Sequence, residues 1–168
     1  MSDALDAIIG QWERERPELK EELWPVEVLG RMQRMHRVIE KSFKEFSAEH
    51  GLEPGEFDVL TTLRRSGPPY ALTAGAFLKA AMVTSGAITN RIDRMEAKGL
   101  VERVRDGSDR RTVKIHLTER GHEITNTAME AHLRNYAEIL KPLDRETCDR
   151  VAAALRTLLE AHGDTSIG

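Results

Sequence analysis

Residues 72–118 read LTAGAFLKAAMVTSGAITNRIDRMEAKGLVERVRDGSDRRTVKIHLT, and the local patterns in this run decide the fold. Thr73 stands where a helix N-cap belongs, and Met82-Val83 falls where a tight inter-helix turn is expected. Thr84 and Ser85 can cap a second helix, which Lys98-Gly99 should end. Ile88, Ile92 and Met95 recur at helical spacing and form its core face. Beyond Gly99 the period shortens to that of strands, over residues 100–104 and 113–117. Between them lies a polar tip, Arg105-Asp106-Gly107-Ser108-Asp109-Arg110-Arg111. Helix, turn, helix and basic hairpin together suit a reader of double-stranded DNA. One helix fits the major groove, and a thin cationic ribbon reaches the adjacent minor groove.

Composition narrows the class. The chain has 168 residues, enough for one domain with helical additions. Hydrophobic residues are 40% and charged ones 32%, with few aromatics, a mixture that predicts a helix-rich protein. No apolar run approaches the roughly 20 residues of a membrane span, so no membrane association is expected. MSDALDAIIG lacks the basic start and small-residue cleavage site of a secretion signal. A lone Cys148 fits a reducing, cytoplasmic setting. Net charge is −3, but it is unevenly spread. Residues 84–114 hold eight basic side chains against five acids, while residues 1–30 hold three against eight. Positive charge therefore gathers where DNA would lie.

Helical patterns flank this segment. Leu5, Ile8, Ile9 and Trp12 form one stripe over residues 3–16, and Pro17 and Pro25 bracket a charged connector. Residues 26–49 carry Val28, Leu29, Met32, Met35, His36, Ile39, Phe43 and Phe46 along one side, and Gly51 closes the helix. Pro54-Gly55 opens a helix with Phe57, Leu60 and Leu63 inward. A helix from Thr118 to about Leu140 stops at Pro142, and Asp144 or Thr147 starts the last one. The expected architecture is mainly α with a small β-wing. It comprises an added N-terminal helix (1–22), dimerisation helices (23–50 and 118–162), a winged helix-turn-helix (51–117) and a disordered tail (163–168). The one-sided outer helices imply a two-fold homodimer, which sets two recognition helices about 34–36 Å apart on a palindromic site.

The segment LT-x(10)-SG-x(3)-NRIDRMEAKGLVERVRD-x-SDRRT-x-KIHLTERG resembles the MarR family of winged-helix transcription factors, over roughly residues 26–162. Three further residues resemble its urate-responsive branch, that of HucR and PecS. These are Trp12 on the added helix, Asp58 in EFDVLTTL, and Arg91 beside Asn90 in ITNRIDRM. The resemblance implies a DNA-binding regulator, most often a repressor, released by a small anionic aromatic ligand such as urate.

Candidate DNA contacts are Thr84, Ser85, Thr89, Asn90 and Arg94 on the second helix, with Arg105, Arg110 and Arg111 on the wing. Short hydroxyl and amide side chains suit base edges, although Thr84 and Ser85 can equally serve only as caps. By the resemblance, Arg111 is the minor-groove arginine; Arg105 and Arg110 suit phosphates, and Asp109 can hold one of them in place. The candidate ligand residues are Trp12, Asp58, Asn90 and Arg91. Arg91 lies at the edge of the buried stripe and needs an anionic partner, either Asp58 in an ion pair or a bound ligand. Trp12 can anchor the added helix or form an aromatic wall.

The six histidines show no ligand spacing, so no metal is expected, nor any cofactor or catalytic site. Cys148 lies away from the peroxide-sensing position that the family resemblance implies. The alternatives are a phenolic or carboxylate effector, for which Arg91 matters and Trp12 does not, and a winged-helix protein-interaction module without specific DNA binding.

Overall fold

The computed structural model describes residues 2–53, 55–80, 88–105 and 112–166. It divides into two compact units, residues 1–44 and 45–168.

In the first unit, helix α1 (Ala4–Glu15) begins at a reciprocal cap. The Asp3 carboxylate accepts from the amides of Leu5 and Asp6 at 2.8 and 3.1 Å, and the Asp6 carboxylate accepts from the Asp3 amide at 2.8 Å. Three orphan N–H groups at the helix start are thereby satisfied. Arg31 of helix α2 (Trp24–Glu49) ion-pairs with both carboxylates. These contacts and the capping amides, chiefly that of Asp6 for Asp3, hold both carboxyls below the usual range. Leu5 is buried on Gly30, where an added Cβ would come within 2.9 Å of its Cδ1. The charged connector folds as a 3-10 turn over Pro17–Glu22.

The second unit is the winged helix-turn-helix. Helix α3 (Glu56–Arg65) starts two residues later than Pro54, and Gly55 precedes it at φ +83°. Phe57, Val59, Leu60 and Leu63 are buried, as the helical period predicts. Strand β1 (Ala71–Thr73) leads into helix α4 (Ala74–Ala80), and the Thr73 hydroxyl accepts from the Ala76 amide at 3.1 Å, fulfilling the predicted cap. Helix α5 (Ile88–Ala97) ends at Gly99, φ +69°, and strands β2 (Val101–Arg105) and β3 (Val113–Leu117) follow. The sheet order is β1-β3-β2, antiparallel throughout. The sequence reading set the first wing strand at 100–104, one residue early. It missed β1 as well, because three residues have no periodicity until they pair with β3. The expected Met82-Val83 turn lies outside the described residues.

Helix α6 (Glu119–Leu140) is capped by Thr118, whose hydroxyl accepts from the Gly121 amide at 3.0 Å and donates to the Gly99 carbonyl at 2.7 Å. Gly121 is buried where a Cβ would lie 2.1 Å from the Leu100 carbonyl oxygen, so only glycine admits this approach of helix to wing base. Helix α7 (Arg145–Ala161) is capped by Asp144, whose carboxylate accepts from the Thr147 amide at 2.7 Å. Met129, Leu133, Tyr136 and Leu140 of α6 are exposed, as are Val151, Leu155, Leu158 and Leu159 of α7.

Candidate nucleic-acid interface and effector site

Helix α5 presents three faces. Ile92 and Met95 point into the core. Thr89, Asn90 and Asp93 are exposed, the disposition a groove-reading helix requires. The third flank carries Arg91, Arg94 and Lys98, spaced i, i+3, i+7, and all three meet the loop before α3.

Lys98 Nζ lies 2.8 Å from Glu56 Oε2 and 3.8 Å from Glu53 Oε1. Glu56 is fully buried, and its Oε2 also accepts from the Glu53 amide at 2.9 Å. Arg94 Nε lies 2.9 Å from Glu53 Oε2. The charge of Arg94, expected on DNA, is thus held at the loop. These pairs tie the reading helix to the base of α3, and sequence reading missed them. A glutamate in a helix's first turn looks solvated, and its partner stands 42 residues away.

Arg91 lies against the Gly55 backbone so closely that a Cβ there would sit 2.3 Å from its Cζ. Its Nε and Nη1 are buried without a hydrogen-bond partner, as is Oδ2 of Asp58. A buried guanidinium N–H without an acceptor forfeits roughly 1–3 kcal/mol of hydration. Asp58 is half-buried on α3, and Asn90 is exposed. Trp12, in the first unit, is 50% exposed.

The wing is fixed to the reading helix through Arg103, which ion-pairs with Asp93 and Glu96 of α5. Its hydrogen bonds, to Asp93 first and then to Glu96, raise the guanidinium pKa above the usual arginine value. The pairing also offsets two carboxylates that would otherwise repel phosphate. Glu102 and His116 face each other across the hairpin, Oε1 and Nδ1 3.0 Å apart. Arg105 is exposed at the end of β2. Thr84, Ser85, Arg110 and Arg111, together with Asp109, lie outside the described residues. Among the described residues no group of His, Cys, Asp and Glu could hold a metal, and no helix is long and apolar enough to cross a membrane.

Known proteins share this arrangement. The family model described as "MarR family" matches residues 50–112. The chain is 36% identical over 148 residues to the HTH-type transcriptional regulator PecS of Dickeya dadantii (strain 3937), covering 88% of each. A solved MarR family protein from Bacillus stearothermophilus superposes with TM-score 0.69 at 26% identity, over 84% of this chain and 96% of that one. BpsR of Bordetella bronchiseptica, whose DNA binding is regulated by 6-hydroxynicotinic acid, shares the fold at 21% identity. Its TM-score is 0.68, over 78% of this chain and 91% of that one. The relatives are transcriptional regulators, and with this fold, capped helices and wing, the chain belongs to the MarR family of winged helix-turn-helix transcriptional regulators.

Proposed function

We propose that this DNA-binding regulator is a repressor released from a palindromic operator by a small anionic aromatic effector, urate being the first candidate. The carrying observation is Arg91, whose buried Nε and Nη1 lack a partner on the helix that also exposes Thr89 and Asn90. An anion arriving at Arg91 would be welcomed by an unsatisfied charge and would repel Asp58 on α3. By the resemblance to the urate-responsive branch, Trp12 is a further residue on which the response to such a ligand would depend. Displacing Arg91 would then move the reading helix, so effector and DNA compete for one element's position.

Thr84, Ser85, Thr89 and Asn90 would read or grip the major groove, and Arg105, Arg110 and Arg111 the phosphates and minor groove. Arg94 would join them only on release from Glu53. MarR regulators are typically dimers with small-molecule ligands. In keeping with this, the exposed apolar stripes of α6 and α7 suit burial in a second copy, with residues 23–50 and 118–162 as the dimerisation helices.

The test is fluorescence anisotropy on the DNA upstream of the protein's own reading frame, titrated with urate at fixed salt, because phosphate contacts make affinity salt-dependent. Tight binding weakened by urate, and insensitive to it in Arg91→Ala, supports the reading. Tight binding indifferent to urate removes urate, and loss of response in Arg91→Ala but not Trp12→Ala favours a phenolic or carboxylate effector. No specific DNA binding would turn the assignment toward a protein-interaction module.

A further inference from the structure

In the DNA-free chain Asp93, Arg94 and Glu96 of α5, and Lys98 just past its end, are all held in ion pairs. Arg94 follows Asn90 by one turn, so it belongs to the exposed side that a groove-reading helix turns to DNA. Its guanidinium is nevertheless engaged by the loop before α3, where Nε meets Glu53 Oε2 at 2.9 Å. These pairs are not equivalent. Arg103 serves two carboxylates at once, and its departure would leave Asp93 and Glu96 uncompensated beside phosphate. Lys98 cannot leave without stranding Glu56, which is fully buried. Arg94 can leave. Both members of its pair are about half exposed, at 46% and 49%, and Lys98 Nζ lies 3.8 Å from the other Glu53 oxygen. Glu53 therefore keeps a cation whichever way Arg94 turns.

We propose that Glu53 is a specificity-determining residue for DNA recognition: it withholds Arg94 from phosphate until α5 is seated in the groove. An exposed ion pair shifts an equilibrium by a factor of only about 1.4 to 5. A phosphate at contact distance accepts two charge-assisted bonds from a guanidinium and releases a condensed counterion as it does so, and it wins Arg94 from Glu53. In a loose encounter the helix stands back from the duplex, and Arg94 stays on Glu53. Non-specific binding, which is almost wholly electrostatic, thus lacks this charge, whereas the seated complex gains it. This role of Glu53 rests on the DNA-binding assignment, and on neither urate nor Arg91.

The test is fluorescence anisotropy of the full chain across a salt series on two duplexes. One is the DNA upstream of its own reading frame, and the other is a shuffled duplex of the same composition. Glu53→Gln keeps the side-chain size and the backbone amide and removes the charge. It should bind the shuffled duplex about 2- to 25-fold more tightly, the single-pair factor squared because a dimer carries two reading helices. The salt slope on that duplex should steepen by about 1 per reading helix. The upstream duplex should gain less, so the ratio of the two affinities falls. Arg94→Gln should flatten the slope on upstream DNA by about 1 per reading helix, and Glu53→Gln with Arg94→Gln should show no gain on the shuffled duplex. An unchanged affinity ratio in Glu53→Gln would overturn the proposal. So would a gain that survives in the double variant, because Glu53 would then act as a general negative charge. Wild-type protein that bound neither duplex would overturn the DNA-binding assignment and this role of Glu53 with it.

Discussion

Gly55→Ala separates what Arg91 contributes to stability from what it contributes to sensing. Two costs are expected. The first is conformational: Gly55 has φ +83°, and a non-glycine residue in this region costs about 1–2 kcal/mol, partly offset by about 0.4–1 kcal/mol from a less flexible unfolded chain. The second is steric. The new Cβ would sit 2.3 Å from Arg91 Cζ, so the guanidinium must retreat by about 1 Å to reach ordinary contact. Forcing such a side chain off its rotamer costs about 0.5–1.5 kcal/mol. Because Nε and Nη1 have no hydrogen bonds to lose, the retreat breaks nothing further.

Gly51→Ala is the internal control, having φ +66° and open space around its Cβ. It should cost only the conformational part, about 1 kcal/mol or less, and Gly55→Ala about 1 kcal/mol more than that. In a chain of this length, each kcal/mol lowers Tm by about 2–4 °C. Urea and thermal melts followed by circular dichroism measure the difference, and anisotropy on operator DNA measures the response to urate. Gly51→Ala should respond as the wild type does, whereas Gly55→Ala should respond weakly or not at all. Equal stability of the two variants, together with a Gly55→Ala dose response that overlays the wild type, would refute the reasoning.

Lys98→Met should destabilise by about 2–4 kcal/mol in urea melts, because it strands the fully buried Glu56 carboxylate, and Glu56→Gln added to it should recover much of the loss. An additive double variant would show that the two groups do not depend on each other. Gly121→Ala should lower Tm by roughly 4–8 °C, since clash with the Leu100 carbonyl outweighs any gain in helix propensity; an unchanged Tm would deny the close approach. His132 packs on Phe46, Phe57 and Tyr136, at 5.4, 5.0 and 4.0 Å between ring centroids, and burial holds its pKa below 6.5. The unfolded chain therefore takes up this proton first as pH falls, so its contribution is complete above pH 6.5 and shrinks below it. His132→Phe should flatten the acid side of the stability profile, and parallel profiles for variant and wild type would count against it.

Local chemistry was legible without coordinates. Thr73, Thr118 and Asp144 announced helix starts because a short oxygen side chain before an apolar period satisfies orphan amides wherever it occurs. Phe57, Leu60, Leu63, Ile92 and Met95 announced buried faces because 3.6-residue spacing places them on one side of a helix. The motif from Asn90 to Gly121 carried the family, which fixed the kind of DNA reader. Other features depended on residues distant in sequence. Strand β1 exists only through its pairing with β3, Ala71 opposite His116. Glu56 is buried only because Lys98 reaches it, and Gly121 is required only because Leu100 arrives against it. Arg91 was recognised as a charge at the edge of the core, but its seat against the Gly55 backbone was not. The sequence by itself determined which segments are helices, which faces are apolar and where the wing belongs, since those follow from interactions within a turn or two. Tertiary structure alone decided which charges meet and which remain unsatisfied, because that depends on side chains from separate elements arriving within a few ångströms of one another.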